Sequence, residues 1–151
     1  MRTQPEYLRQ TELGGFFCCQ VLAMLNALRY YGRDTISASG HQWHAMVEFA
    51  DCQYEDTTRA AEVAEFLGLV RMEIPLTYPY VQENLPATIP LVTRHGTIHT
   101  ALAVDAYDDC LELVNYKGHL SAEVVSKRPW NVLRFPPRTR TCWSLLLGCI
   151  D

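Results

Sequence analysis

The chain has 151 residues, of which 48% are hydrophobic and 20% charged, and its net charge at neutral pH is -4. This length fits one domain, since domains typically hold roughly 100–150 residues, and the apolar content supports a buried core rather than disorder. The acidic balance, with a pI near 5.7, excludes the basic surface that nucleic-acid binding requires. We therefore expect one domain over residues 1–151 and no nucleic-acid partner.

The N-terminus carries no recognisable targeting signal. It reads Met1-Arg-Thr-Gln-Pro-Glu6, without the apolar region of a secretory signal. No apolar run approaches the roughly 20 residues that a bilayer span needs. The apolar cluster from Trp143 to Ile150 is shorter and is typical of a buried final strand or of a partner-binding tail. These observations predict a cytoplasmic protein with no membrane span, and they leave open export as an effector.

The cysteine pattern favours free thiols over structural bridges or a metal. There are six cysteines and no C-x-x-C spacing: Cys18, Cys19, Cys52, Cys110, Cys142 and Cys149. Without a secretory signal, reduced thiols in a cytosol are expected. Apart from the adjacent Cys18 and Cys19, the most closely spaced pair is Cys142 and Cys149, which has no histidine close by in sequence to complete a zinc site. We expect neither a metal nor another cofactor.

The first half of the chain predicts helices. Residues 19–31 are strong helix formers that end before Gly32, and they are apolar nearly all round, which is typical of a buried central helix. Residues 41–50 predict a second helix, and residues 59–67 a third, capped by Thr58 and closed by Gly68.

The second half predicts strands at residues 69–74, 89–94, 98–107, 111–116 and 131–135. A proline- and tyrosine-rich connection occupies residues 75–86. Asp108-Asp109 and Lys117-Gly118 supply turns. Helices followed by an antiparallel meander predict an α+β fold, with N-terminal helices packed on a C-terminal antiparallel sheet.

Cys19 is the candidate nucleophile, because it opens the first predicted helix. Unpaired backbone N–H groups and the positive end of the helix dipole favour thiolate there, and the same N–H groups can hold an oxyanion. The simpler interpretation is a small buried hydrophobe, as free cysteine usually is. A helix beginning one residue earlier would give the role to Cys18 instead.

His99 is the candidate general base and acid. Strand alternation places it on one face with Ala101, Ala103 and Asp105, and the small alanines leave room for a helix or a substrate to approach. The other histidines are weaker candidates, since their positions suggest turns or helix surfaces: His41, His44, His95 and His119.

Asn115 is the candidate orienting residue. If the strands at 98–107 and 111–116 are neighbours, Asn115 lies near the level of His99, where its side-chain oxygen could accept from the imidazole and fix the tautomer. Cys-His-Asn is an established catalytic arrangement. A turn residue at a strand end is the simpler interpretation of Asn115.

The residues at these positions resemble a family. The stretch Cys19-Gln-Val-Leu-Ala-Met-Leu-Asn-Ala-Leu-Arg-Tyr-Tyr-Gly32 resembles the first helix of the C39-like branch of papain-fold cysteine peptidases. Counting back from Gly32, the family's cysteine falls on Cys19. The segments around His99 and Asn115 resemble the family's histidine strand and the following hairpin, with the same sixteen-residue step.

This resemblance covers about a third of the chain. It implies a papain-like fold, no cofactor, and cleavage of a peptide or protein amide through an acyl-enzyme. The family also places an oxyanion-donating glutamine before the cysteine, and Gln10 is the candidate for it. Departures from the pattern are Gln20 and Val21, where the family has Gly-Pro, and Asn115, where aspartate is usual.

Three functions remain open from the sequence. The leading one is a thiol hydrolase with Cys19, His99, Asn115 and Gln10 as its site and a peptide or protein as its substrate. The second is an inactive C39-like module that only binds peptide. The third is a papain-fold transferase or deamidase, which shares the acyl-enzyme chemistry. The oligomeric state and the substrate are not determined by the sequence.

Overall fold

A computed structural model describes residues 3–9, 19–33, 57–117 and 123–148 of the chain. These ranges form helices α1 (Cys19–Tyr30), α2 (Thr57–Phe66) and α3 (Tyr78–Glu83). They also form six strands: β1 (Leu69–Pro75), β2 (Ala87–Val92), β3 (Ile98–Tyr107), β4 (Cys110–Val114), β5 (Val124–Pro129) and β6 (Thr141–Leu147). Within the described ranges no helix is long and apolar enough to cross a membrane.

The six strands form one antiparallel sheet in the order β1-β6-β2-β3-β4-β5. Strands β2 to β5 follow one another as a meander. Strand β6 then returns to the interior of the sheet, where Ala87 of β2 lies opposite Ser144 on one side and Ala103 on the other. The apolar segment that begins near Trp143 is thus a strand, and the predicted α+β architecture is confirmed.

Helix α1 is the buried helix that its composition predicts. Nine of its twelve residues are buried, including every position from Val21 to Leu28. It ends at Tyr30, two residues before Gly32, whose φ of 80° lies in the left-handed region where glycine is favoured. The amide of Gly32 donates to the carbonyl of Arg29, and that of Arg33 donates to Leu28, which is the Schellman pattern of helix termination.

One side of the sheet, called here the α1 face, is covered by α1 and α2. Leu22, Leu25 and Leu28 of α1 and Val63 of α2 share one apolar cluster with side chains of β3, β4 and β6. Full burial of a leucine stabilises the fold by about 1.5–3 kcal/mol relative to exposure. The α1 face therefore holds the helix that carries Cys19 firmly on the sheet.

The other side, called here the α3 face, is covered by the short helix α3 and by residues 130–135. Val81 of α3 and Leu133 pack with the inward side chains of β2, β3 and β4, among them Ala101 and Ala103. The helix that approaches the alanines of β3 is therefore α3, which follows β1 in the chain.

A tight turn fixes how β3 and β4 pair. Asp108 and Asp109 have φ values of 51° and 60°, and Tyr107 lies opposite Cys110 across a two-residue loop. Positive φ at both loop positions is the geometry that suits the twist of a β-hairpin, and aspartate tolerates it. The turn brings β4 back along β3, so that Val114 at the end of β4 lies opposite Leu102 in the first half of β3.

Several predicted boundaries differ from the structure. The connection at residues 75–86 contains α3, because Pro79 lies in the first turn of that helix, where proline costs no hydrogen bond. Residues 131–135 are not a strand: Trp130–Val132 is a 3-10 turn, and the strand before it, β5, was not predicted. Thr58 lies inside α2 rather than at its cap. The predicted helix at residues 41–50 lies outside the described residues.

Candidate active site

Cys19 is the first residue of α1 and is 7% exposed. The amides of the first helical turn have no carbonyl partners within α1, so they and the helix dipole create a positive environment at this end. Cys18, the alternative nucleophile, lies outside the described residues.

His99 is the second residue of β3 and is 9% exposed. Its backbone lies opposite Leu91 of β2, which holds the histidine in the ordered part of the sheet. The only other histidine in the described part of the chain, His95, is exposed in the turn between β2 and β3. His41, His44 and His119 lie outside the described residues.

The structure brings His99 and Asn115 into direct contact. Nε2 of the imidazole lies 2.6 Å from the main-chain carbonyl oxygen of Asn115. The sequence predicted pairing between these residues through the side-chain amide, whereas the described contact uses the backbone. The reason is local geometry: Asn115 has a φ of 63°, so the chain turns sharply as it leaves β4 and presents this carbonyl toward β3.

This contact assigns the protons of the imidazole. A carbonyl oxygen only accepts hydrogen bonds, so Nε2 of His99 must be the nitrogen that donates. In the neutral ring Nδ1 then carries no proton and is the basic nitrogen. A histidine held in this tautomer can accept a proton at Nδ1.

The N-terminal segment is fixed to α1 by Asn26. The side-chain oxygen of this buried asparagine accepts from the amide of Leu8 at 2.8 Å, and its NH2 group donates to the Leu8 carbonyl at 3.2 Å. Gln10, the candidate oxyanion donor, follows Leu8 by two residues but lies outside the described residues. Asn26 was not among the residues predicted from the sequence, although an asparagine inside an otherwise apolar helix was an available signal.

A pocket of about 200 Å³ lies on the α1 face, between the first turns of α1 and the strands below. Gln20 and Met24 line it from α1, and Thr100 lines it from β3. Gln20 follows Cys19 directly in the chain, and Thr100 follows His99. The beginnings of α1 and β3 therefore border one opening.

The opposite wall of this pocket carries an arginine and a tryptophan. The guanidinium carbon of Arg71 on β1 lies 4.1 Å from the ring centre of Trp143 on β6, a stacked cation–π contact. Burial of Arg71 lowers its pKa, although arginine remains charged at any physiological pH. Neither residue was among the sequence candidates; two large side chains in otherwise aliphatic strands were the only hint.

Strand alternation sets one condition on the candidate site. Side chains two residues apart on a strand lie on the same side, so His99 shares the α3 face with Ala101 and Ala103. Helix α1 covers the opposite face. His99 is the second residue of β3 and so lies beside the N-terminal end of the strand. Contact between its ring and Cys19 therefore has to occur around the end of the strand.

The other described thiols differ from Cys19 in their surroundings. Cys142 is 2% exposed, and burial raises its pKa to about 12, so it stays protonated and unreactive at neutral pH. Cys110 lies at the β3–β4 turn, where its sulfur donates to the carbonyl of Asp108. None of these three cysteines forms a disulfide.

Comparison with known proteins supports the fold alone. No protein-family model matches the chain, and no curated protein sequence matches it. Among solved structures, the chain is similar to the crystal structure of the peptidase domain of Streptococcus ComA, a bifunctional ABC transporter involved in a quorum-sensing pathway. The TM-score is 0.63 at 12% identity, over 96% of this chain and 98% of that one. The arrangement of helices on a six-stranded antiparallel sheet is thus that of a C39-type peptidase domain.

Proposed function

We propose that this protein is a thiol hydrolase that cleaves a peptide or protein amide bond. Cys19 is the nucleophile, His99 the general base and acid, Asn115 the orienting residue and Gln10 an oxyanion donor. The observation that carries the proposal is the hydrogen bond of His99 Nε2 to the main-chain carbonyl of Asn115, because it leaves Nδ1 as the basic nitrogen of the ring.

The reaction follows from these roles. His99 takes the proton of Cys19 at Nδ1, and the thiolate attacks the carbonyl carbon of the amide, forming a C–S bond and an oxyanion. Amides at the first turn of α1, together with Gln10, stabilise the oxyanion. The imidazolium then gives its proton to the leaving nitrogen as the C–N bond breaks. Water, deprotonated by His99, attacks the acyl carbon and releases the thiol.

Asn115 acts in this scheme through its main chain. Its carbonyl holds the imidazole at 2.6 Å and stabilises the N–H that points away from the thiol. An asparagine in place of the family's aspartate is then compatible with catalysis, because the orienting oxygen does not come from the side chain.

The proposal covers the whole chain as one domain with a peptide as its partner, in a reducing compartment such as the cytoplasm. The similarity to a peptidase domain over 96% of the chain supports a single domain. A reducing compartment agrees with the absence of disulfides at the three cysteines of the described ranges, since an oxidising compartment favours disulfides.

The test is digestion of a proteome-derived peptide mixture followed by mass spectrometry. We expect cuts by the wild-type protein, none by Cys19→Ala, and unchanged cutting by Cys110→Ala, whose thiol lies at the β3–β4 turn. Cutting that survives Cys19→Ala but is lost in Cys18→Ala moves the nucleophile to Cys18. A mass increase of about one dalton on glutamine, without cuts, would replace hydrolysis by deamidation.

A second candidate is a peptide-binding module without catalysis. Strand alternation places His99 on the α3 face, opposite the face that α1 covers, and this separation from Cys19 favours the alternative. In that case the wild-type protein and Cys19→Ala bind peptides equally and neither cuts them.

A further inference from the structure

The two edges of the sheet differ in their protection against pairing with another strand. Within the described ranges the outer strands are β1 and β5. A register shift interrupts the pairing of β5 with β4, and β5 ends in Lys127, Arg128 and Pro129. Charged residues, proline and irregular pairing are the means by which proteins block a sheet edge. Strand β1 keeps an unbroken register with β6 over its seven residues, and its one proline, Pro75, is the last of them.

The main chain of β1 points alternately toward β6 and away from it. The amide of Gly148 donates to the carbonyl of Gly68, which continues the register of the two strands by one pair. Every second pair of an antiparallel ladder exchanges hydrogen bonds, so the main-chain groups of Met72 face β6. Those of Arg71 and Glu73 then face the outer side of β1. That side has the geometry to hydrogen-bond a further antiparallel strand.

Exposed apolar side chains lie along this edge on the α3 face. Val70 is 52% exposed and Met72 is 37% exposed. Ile74, the next residue with the same orientation, is 4% exposed because it packs in one cluster with Val81 of α3. Helix α3 thus covers one end of β1 and leaves apolar surface uncovered at the other, and burial of such surface favours association.

The sequence of β1 is complementary to itself in one antiparallel register. With a twofold axis at Met72, Arg71 of one protomer lies opposite Glu73 of the other. Axes at Arg71 or at Glu73 would instead place like charges opposite each other, which is unfavourable. The register centred on Met72 uses the positive charge of Arg71 and requires no change in its stacking on Trp143.

We propose that β1 pairs with β1 of a second copy of this chain, which joins the two six-stranded sheets edge to edge in a homodimer. Arg71 and the partner's Glu73 exchange main-chain hydrogen bonds. The two Met72 side chains meet on the α3 face beside the twofold axis, and Val70 packs against the partner's Ile74. These apolar residues form non-hydrogen-bonded pairs, in which facing side chains lie closest. The pairing does not depend on the proposed hydrolase activity.

The test is sedimentation velocity on the full chain over a dilution series of about 1–100 µM, the range in which small interfaces dissociate. We expect the mass of the wild-type protein to rise from 17.2 kDa toward twice that value. Met72→Lys should stay monomeric, because two lysines would meet at the twofold axis. Val132→Lys is the matched control and should dimerise like the wild type, since Val132 is a similarly exposed apolar residue away from β1.

Exchange of the charges tests the register. Glu73→Arg and Arg71→Glu should each weaken self-association about tenfold, because like charges then lie opposite each other twice in the dimer. In an equimolar mixture of the two variants, every arginine of one chain lies opposite a glutamate of the other. The mixture should therefore associate more tightly than either variant alone.

A single species of 17.2 kDa at every concentration overturns the proposal and leaves the edge of β1 to a strand of another protein. A dimer that survives Met72→Lys, or one that Val132→Lys abolishes equally, also overturns it. A mixture that associates no better than its components contradicts the register centred on Met72. Met72 and Glu73 are exposed, so their variants should melt like the wild-type monomer, which separates lost pairing from lost folding.

Discussion

The two faces of the sheet differ in what they contribute. The α3 face is closed by a short helix and an irregular segment, and its core around Leu111 and Ile89 is largely apolar, with the fully buried Ser144 opposite Ala87. The α1 face has an equally apolar core under the middle of α1, but at the beginning of that helix it opens into a pocket with Arg71 and several hydroxyls. Both faces thus hold an apolar core, and the α1 face adds a polar pocket; His99, which strand alternation places on the α3 face, does not line that pocket.

The largest expected effect is that of His99→Ala on hydrolysis. Removal of a general base and acid should lower the rate of peptide cleavage by about 10²–10⁴-fold. The matched control is His95→Ala, since His95 is exposed in the turn before β3 and should leave the rate unchanged. The rate is measured on a peptide identified in the digest. Equal losses in the two variants would remove His99 from the mechanism.

Leu111→Ala tests the closed face. Leu111 is fully buried on the α3 face, so the substitution should lower the free energy of unfolding by about 2–5 kcal/mol. Urea denaturation measures this loss. The cleavage rate per folded molecule should stay within about twofold of wild type; a large fall would show that the α3 face also shapes the site.

The buried thiol of Cys142 should make the stability of the fold depend on pH in the alkaline range. Burial raises the pKa of this thiol to about 12, above its ordinary value of about 8.5–9. Above pH 9 the unfolded chain releases this proton while the folded chain keeps it, so stability falls as pH rises toward 12. Tyr107, whose pKa is raised to about 12 chiefly by its hydrogen bond to Glu112, acts in the same direction above pH 10.

Cys142→Ala separates the two contributions. Melting temperatures of the wild type should decline between pH 8.5 and 10.5, and those of the variant should decline less over the same interval. Parallel curves would show that the buried thiol is not the group responsible.

The smallest expected effect is at Asn115. The described bond to His99 comes from the main-chain carbonyl, and the φ of 63° suits glycine. Asn115→Gly should therefore keep the cleavage rate within about threefold, whereas Asn115→Ala adds a strain of about 1 kcal/mol. A loss of more than about thirtyfold in Asn115→Gly would return the orienting role to the side-chain amide.

Particular residues show how far sequence alone could go. The apolar run after Cys19 predicted the buried helix α1, and the glycine at position 32 predicted where it ends, because local rules of helix formation and termination decide both. The pairing of β3 with β4, and hence the closeness of His99 and Asn115, followed from a two-residue turn.

What the sequence could not give depends on contacts between distant segments. The insertion of β6 between β1 and β2 brings Arg71 and Trp143 together across 72 positions of the chain, and no local pattern encodes that order. The use of the Asn115 carbonyl depends on one backbone angle. Helix α3 was missed because proline and tyrosine are typical of loops, although proline is accepted in a first helical turn.

The most direct test of the central claim is the pH dependence of Cys19 alkylation by iodoacetamide, with the labelled residue identified by peptide mass mapping. If the N-terminal end of α1 and His99 activate the thiol together, Cys19 in the wild-type protein titrates below about pH 7.5. In His99→Ala the titration of Cys19 then shifts toward the ordinary value of about 8.5. Titration near 8.5 in both proteins would contradict a nucleophile activated by His99.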